Sequence, residues 1–449
     1  MALKALDIFK LTPKKNCKEC GFPTCMAFSM KVAGGAVEVS KCPHMSDEAM
    51  QKLSEATAPP MKTLKVGAGE NEYTLGGETV LFRHEKTLVS KNRFAVAFSD
   101  DMDDAKVDAK IANMNKVVYE RIGEEMKAEF ACVTYTGNKD AFLKIIEKIK
   151  AEVKAAFILN VDDAEVAKEA VALLSGLKPV VIGATKDNYK AMVEVVKADN
   201  LALGLKAANL EELYDLVGLV QKIGYKELIL DVTGESIKDT YVNAVQVRRT
   251  ALKEGDRTFG YPSIVFANEL AKGDANLEVA LSSAFTIKYG SIIVIDDISY
   301  AAALSIYALR QNLFTDPQKP MRVETKVYPI NNPDENSPVL VTVDFALTYF
   351  VVTGELERSK VPCWLVIPDA GGYSVLTSWA AGKFGGSVIG NFVKECGISD
   401  MTKSRDLIIP GKVAVIQADV QDNLPDWNVI VGTAEAMELP KFLKERYGK

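Results

Sequence analysis

At 449 residues the chain is too long for one ordinary hydrophobic core, and its 48% hydrophobic and 25% charged residues are those of a globular protein with two to four domains. A formal net charge of −6 argues against a nucleic-acid-binding surface. With no apolar run approaching about 18 residues and no apolar signal core, a cytoplasmic protein outside the membrane is expected.

Residues 1–57 form a first module. After an amphipathic start, ALKALDIFKLTP, cysteines fall at Cys17, Cys20, Cys25 and Cys42 in a C-x2-C-x4-C-x16-C spacing, with Pro43 directly after the last. Disulfides are the weakest reading, because the cysteine count of seven is odd and sparse and no secretory signal precedes it. Structural zinc also takes four cysteines, usually as two Cys-x2–4-Cys pairs. Three cysteines crowded on one loop, with a fourth from the next element followed by proline, favour a [4Fe-4S] cluster over zinc. Gly21 and Pro23 let the backbone wrap closely, and a helical run from Met26 to Val32 carries the chain toward Cys42. Cys132, Cys363 and Cys396 stand singly among apolar neighbours and read as buried, inert thiols.

A joint at Thr57-Ala58-Pro59-Pro60 opens a linker and hairpin segment, residues 58–92. Its Gly67-Ala68-Gly69 is not a dinucleotide fingerprint, since Glu72 replaces the third glycine and no helix pattern follows. Turns and hairpins around Gly76-Gly77 are expected instead. His84 reads as a structural or surface residue, and with His44 it completes the histidines of the chain.

Residues 93–315 alternate short apolar runs with helical stretches. The runs are FAVAFSD, FACVTY, AAFILNV, PVVIGAT, LALGLKA, ELILDVT, SIVFAN and SIIVIDD, with helices between them such as 140–150, 164–175, 210–222 and 236–254. Eight such units predict parallel strands joined by crossovers, a (β/α)8 TIM barrel. Polar residues end the strands: Ser99-Asp100, Thr134, Asn160, Asp231, Thr233, Asn268 and Asp296-Asp297. They would lie on the C-terminal face, where the favoured reading makes them helix caps that bind nothing.

A second joint, TDPQKPMRVETKVYPINNPDENSP, precedes a terminal α/β domain at 325–449. Its strand patterns are VLVTVDF, CWLVIPD, DLIIPG, VAVIQAD and NVIVGT, and an open doubly wound sheet is expected. Such sheets bind ligands beyond the carboxyl ends of their strands. Two ends carry glycine turns, Gly371-Gly372 before a helix capped by Ser374, and Gly432-Thr433; either could approach an anionic group or be an ordinary turn. Thr342 and Thr348 flank another candidate edge.

The whole chain resembles the large (gamma) subunit family of the corrinoid iron-sulfur protein and the related acetyl-CoA decarbonylase/synthase complex. Its most specific motifs are CKECGFPTC with the distant Cys42-Pro43, GGETVLFRHEKT at 76–87 and PDAGGYSVLTSW at 368–379. The resemblance implies an N-terminal [4Fe-4S] domain ligated by Cys17, Cys20, Cys25 and Cys42, a TIM barrel and a C-terminal corrinoid-binding domain. Corrinoid contacts would fall on Thr342, Thr348, Gly371, Gly372, Tyr373, Ser374, Val375, Leu376, Thr377, Gly432, Thr433, Ala434 and Glu435. The terminal domain has no histidine, so the cobalamin-type corrinoid would be base-off with no imidazole on its lower face, which eases reduction to Co(I). The implied role is methyl carrier of the reductive acetyl-CoA (Wood-Ljungdahl) pathway. Co(I) would accept a methyl group from methyltetrahydrofolate on a methyltransferase and pass it to acetyl-CoA synthase/CO dehydrogenase. The cluster, fed by a low-potential electron donor, would rescue Co(II). A smaller subunit would complete a heterodimer. Two other readings remain: an iron-sulfur barrel enzyme using Asp231, Asp296 and Asp297 as acid-base groups, and a ferredoxin-like electron carrier.

Overall fold

The computed structural model describes residues 5–33, 37–46, 48–50, 53, 60–317 and 320–448. The expected joint at 57–60 lies outside the described residues except for Pro60. The chain divides into two compact units, residues 1–118 with 127–314, and residues 119–126 with 315–449.

In the first unit, helices Ala5–Leu11 and Cys25–Ala33 and the short turn Val39–Lys41 build the cysteine module. Its small core joins Ile8, Phe28, Val32 and Val39 to Cys20 and Cys42, so the same packing that forms the module gathers its thiols. Strands β1 (Thr63–Val66) and β2 (Tyr73–Gly76) then pair antiparallel, Thr63 opposite Gly76 and Val66 opposite Tyr73. The turn of this hairpin therefore lies at 67–72, and Gly76-Gly77 end its second strand instead of forming the turn. Gly67, at φ +76°, explains the placement: a Cβ there would lie 2.0 Å from the Asn71 carbonyl oxygen.

The barrel opens with β3 (Arg93–Ser99). Before the next barrel strand the chain makes a small hairpin, β4 (Tyr119–Arg121) with β5 (Glu124–Met126), which belongs to the second unit. Then follow β6 (Phe130–Thr134), β7 (Ala156–Asn160), β8 (Val180–Ala184), β9 (Leu203–Leu205), β10 (Leu228–Asp231), β11 (Ser263–Phe266) and β12 (Ile292–Ile295). All eight strands are parallel, and β12 pairs with β3 to close the barrel, as the apolar runs predict. Alternate residues such as Ala97, Cys132, Ile158, Ile182, Ile264 and Val294 fill the interior, together with Leu64, Val66, Tyr73 and Leu75 of the β1–β2 hairpin. That hairpin plugs the N-terminal end: the Lys62 N–H donates to the Gly260 carbonyl and the Gly67 N–H to the Lys178 carbonyl, both just ahead of barrel strands. At the closing seam the buried Glu129 accepts from the Phe94 N–H at 2.9 Å and from Arg310 Nη1 at 2.5 Å, and Arg310 also donates to the Asn92 carbonyl.

The polar strand ends are held by hydrogen bonds and ion pairs and do not cap the helices as expected, since the N-caps are the downstream Asp103, Asn138, Asp163, Ser236 and Ser299. Asp100 accepts from the N–H groups of Thr136, Gly137 and Asn138; Asn160 donates to Thr134; Asp296 pairs with the buried Lys110 at 2.8 Å; Asp297 accepts from Asn113 and the Ile298 N–H. Asp231 differs, with Oδ1 accepting from the Thr233 N–H and Oδ2 buried without a hydrogen-bond partner.

The second unit is a five-stranded sheet of β13 (Val327–Ile330), β14 (Val339–Val341), β15 (Cys363–Val366), β16 (Asp406–Ile409) and β17 (Asn428–Val431), in the order β13-β15-β14-β16-β17. Only β13 is antiparallel. One core packs under helices Gly386–Glu395 and Gln417–Asn423, the other under Ala346–Ser359 and Leu439–Tyr447, so the sheet is doubly wound. Two strand expectations are corrected. VYPI, inside the expected joint, forms β13, because an edge strand tolerates Pro329, whose missing N–H faces no partner strand. VAVIQAD is not a strand: residues 411–416 form a 3₁₀ helix that runs into the helix Gln417–Asn423. Val413, Ile416 and Val420 bury at helical spacing while Val415 is 72% exposed, and the parallel pair β16–β17 requires such a crossover.

Among the described residues no helix is long and apolar enough to cross a membrane.

Candidate functional site

Two constellations carry chemistry, one in each unit. In the cysteine loop, Lys14, Asn16, Lys18 and Gly21 all adopt positive φ, which curls the backbone around Cys17 and Cys20. Asn16 Oδ1 accepts the Cys25 N–H at 2.8 Å, the Gly21 N–H donates to the Lys18 carbonyl, and Thr24 caps the helix that begins at Cys25. Cys20, Cys25 and Cys42 are buried and Cys17 is half-buried. A single tetrahedral zinc would draw four sulfurs to about 3.8 Å from one another, given Zn–S near 2.3 Å. Among the described residues, no three of the four thiols lie within 4.8 Å of one another. Cys17 does lie within 4.8 Å of Glu19 and His44, and His44 Nε2 is 3.0 Å from Glu19 Oε2. Neither residue carries a role in the reading of the sequence; the position of His44 just past Cys42-Pro43 was the available signal.

The other thiols are unlike these. Burial pushes Cys363 up to about 12 and raises Cys132 further still, and Cys396 is also raised, which leaves all three as thiols.

In the second unit the parallel strands run in the order second-first-third-fourth, so the switch point falls between β14 and β16. Beyond their carboxyl ends lies a cavity of about 320 Å³. Thr342, Thr348, Ser374, Val375, Leu376, Gly432, Thr433, Ala434 and Glu435 line it, which brings together nine of the residues predicted from sequence. Leu347, Val351 and Val352 add one helical wall, and Pro410 and Lys412 add the end of β16. These were missed, although the i, i+4 pair Leu347 and Val351 on a helix following the first strand was legible. Gly371, Gly372, Tyr373 and Thr377 are not among the lining residues. Gly371 and Gly372 have φ of +80° and +76° and sit in a turn whose N–H groups donate to carboxylates, Gly371 to Asp369 and Gly372 to Asp344.

Thr342 is buried with its Oγ1 lacking a hydrogen-bond partner, at the lip of β14 and facing this space. Gly432 brings the β17 turn close: a Cβ would lie 2.8 Å from Ile408 Cγ2. The only charges in the lining, Lys412 and Glu435, pair at 2.9 Å. Leu347 and Val351 are 63% and 50% exposed, so the mouth is apolar and uncovered in this chain alone. The space is mostly apolar, with one unpaired hydroxyl, glycine-tightened walls and an open mouth.

Residues 63–443 match the family described as "CO dehydrogenase/acetyl-CoA synthase delta subunit", and residues 13–44 match the family "Putative Fe-S cluster". The corrinoid/iron-sulfur protein large subunit of Moorella thermoacetica is 37% identical over 445 residues, covering 99% of both chains. The acetyl-CoA decarbonylase/synthase complex subunit gamma of Methanopyrus kandleri is 34% identical, covering 99% of this chain and 98% of its own. That of Methanocaldococcus jannaschii is 30% identical, covering 100% and 97%. The chain belongs to the family of corrinoid/iron-sulfur protein large subunits and acetyl-CoA decarbonylase/synthase gamma subunits.

Proposed function

We propose that this protein is a methyl carrier that holds a [4Fe-4S] cluster on Cys17, Cys20, Cys25 and Cys42 and a corrinoid in the switch-point cavity. The observation that carries the reading is the cavity itself, which unites Thr342, Thr348, the 374–376 segment and the 432–435 turn around a buried, unpartnered hydroxyl. When bound, the corrinoid supplies a cobalt centre that accepts and gives up a methyl group, and the cluster supplies single electrons that return it to its active state. The chain's residues hold, orient and shield. No histidine occurs beyond His84, so no imidazole of the barrel or terminal unit can ligate a metal, in keeping with a base-off corrinoid. Leu347 and Val351 offer the cofactor an apolar face, and Thr342 offers its hydroxyl to the cofactor's edge.

The exposed apolar mouth calls for a cover, for which the smaller subunit of a heterodimer is the candidate. A methyltetrahydrofolate methyltransferase, acetyl-CoA synthase and a low-potential electron donor complete the cycle in the cytoplasm. Residues 1–57 serve as cluster domain, 58–92 as linker and plug, 93–315 as barrel and 325–449 as corrinoid domain.

The test is an anaerobic absorption and EPR study of the chain copurified with its partners, before and after a low-potential reductant. The expected result is a cobalt signal without nitrogen superhyperfine splitting alongside a reduced-cluster signal. A cluster signal with no cobalt, in protein retaining its partner subunit, would overturn the reading in favour of an iron-sulfur barrel enzyme. Cys20→Ala should remove the cluster signal and reactivation while leaving methyl transfer from fully reduced protein intact.

A further inference from the structure

We propose that Arg322 and Asp344 form a clamp that positions the wall of the cofactor cavity, and that Gly371-Gly372 exist to seat this clamp and not to touch the cofactor. The inference rests on the reading of the cavity given above.

Asp344 follows Thr342 by two residues at the end of β14 and is completely buried. Its Oδ1 accepts from the Ala370 N–H at 3.2 Å and the Gly372 N–H at 2.9 Å, and its Oδ2 accepts from Arg322 Nε at 2.6 Å. Arg322 reaches on to Asp369, whose carboxylate accepts the Gly371 N–H. Three consecutive N–H groups of the 370–372 turn are thus aimed at protein carboxylates and are not available to an anionic ligand. The strap that carries Arg322 is itself fastened, with the Val323 N–H donating to the Asp344 carbonyl and the Ala346 N–H to the Met321 carbonyl.

The glycines fit this arrangement sterically. A Cβ on Gly372 would lie 2.6 Å from Arg322 Cγ and 2.9 Å from its Cδ, and one on Gly371 would lie 2.7 Å from Lys383 Cδ. Both glycines are flanked by the aliphatic stems of cationic side chains. Below them Ser378, fully buried, donates to the Ala370 carbonyl and so ties the turn to the helix Val375–Ala380. Ser374, Val375 and Leu376, which line the cavity, follow the turn directly. A buried carboxylate that loses its cation is strongly unfavourable, so removing Arg322 would release Asp344, then the turn, then that wall. Arg322 and Asp344 are accordingly positioning residues, acting through the turn.

The experiment uses the full chain copurified with its partner subunit and loaded with hydroxocobalamin, and compares wild type with Arg322→Ala, Arg322→Lys, Gly372→Ala and the double variant Arg322→Ala/Gly372→Ala. Amide hydrogen exchange is read first on cofactor-free protein. Ala370 and Gly372 should exchange at least tenfold faster in Arg322→Ala, with partial recovery in Arg322→Lys, which also serves if the alanine variant does not fold. Hydroxocobalamin release should accelerate about tenfold in the same order. Gly372→Ala should accelerate release markedly in the wild-type background and at least fivefold less in the Arg322→Ala background, since the conflicting stem is then gone. Unchanged amide exchange in Arg322→Ala would overturn the clamp. Faster exchange with unchanged release would overturn its positioning role. An equal effect of Gly372→Ala in both backgrounds would overturn the Arg322 stem as the group this glycine makes room for, since the strain of alanine at φ +76° is common to both backgrounds. Failure of wild type to take up hydroxocobalamin would overturn the underlying function, and the positioning role with it.

Discussion

A hydroxyl buried without a partner costs about 1–3 kcal/mol, so Thr342 weakens the cofactor-free chain. Thr342→Val keeps the shape and removes the polar atom. The variant should unfold at higher temperature without cofactor, by about 1 kcal/mol in stability, and bind hydroxocobalamin about tenfold more weakly. Calorimetry and titration check both, and a destabilised variant with unchanged binding would assign the hydroxyl to the fold. Asp231 makes a different kind of prediction. Burial pushes its carboxyl up to about 6 from an ordinary 3.8. The fold therefore favours the protonated form: the stability this group confers is complete below about pH 4 and is lost as pH rises through 6. Asp231→Asn retains the acceptor for the Thr233 N–H. It should match wild type near pH 4 and exceed it by about 3 kcal/mol at pH 8, in urea titrations of the barrel transition. A methyl carrier would keep its transfer activity in this variant; a barrel enzyme with Asp231 as its acid-base group would lose it.

Strands and helices of the barrel were legible because a parallel strand covered on both faces reads as a continuous apolar run, and FILN, VVIG and IIVI differ little from that ideal. The run VAVI was legible in the same way and misled, because its neighbours on the sheet, known only after folding, leave β17 to complete the edge. The Glu129–Arg310 pair shows what fixes the seam between the first barrel strand and the last helix. Both partners are almost wholly buried, so Glu129→Gln removes a buried negative charge that Arg310 donates to. That change should cost about 3–5 kcal/mol in barrel stability, and Glu129→Gln with Arg310→Met should recover most of the loss. If the double variant were as unstable as the single, the hydrogen bond to the Phe94 N–H and not the charge pairing would be the dominant contribution.

The hairpin β4–β5 joins a piece of the chain from between two barrel elements to the second unit. Ile122 packs against the β13–β15 side core, Arg121 lies over the Phe350 ring at 4.9 Å, and Met126 is fully buried. A two-strand hairpin is marginal by itself, so its order depends on this packing. A specific protease site introduced between Thr315 and Met321 should therefore leave the two fragments co-eluting on a sizing column after cleavage. Ile122→Asp should let them part. Separation of the cleaved wild-type fragments would show that the hairpin does not hold to the second unit in solution.

The sequence by itself determined the parts that depend on local order: four cysteines in a crowded loop, eight βα units in succession, a doubly wound terminal sheet, and the absence of histidine beyond His84. Thiolate ligation, strand burial and crossover length each leave their mark within a few tens of residues. Of the candidate cofactor site, the segments at 342, 348, 374–376 and 432–435 were legible as strand ends and turns. What only the tertiary structure decided is which of them share one cavity. The strand order places the switch point between β14 and β16, and no local signal sets that order. The same holds for Gly371-Gly372, whose motif looks like a ligand turn. Their requirement comes from the side chains of Arg322 and Lys383, which are distant in sequence from one or both glycines and are brought against them only by packing.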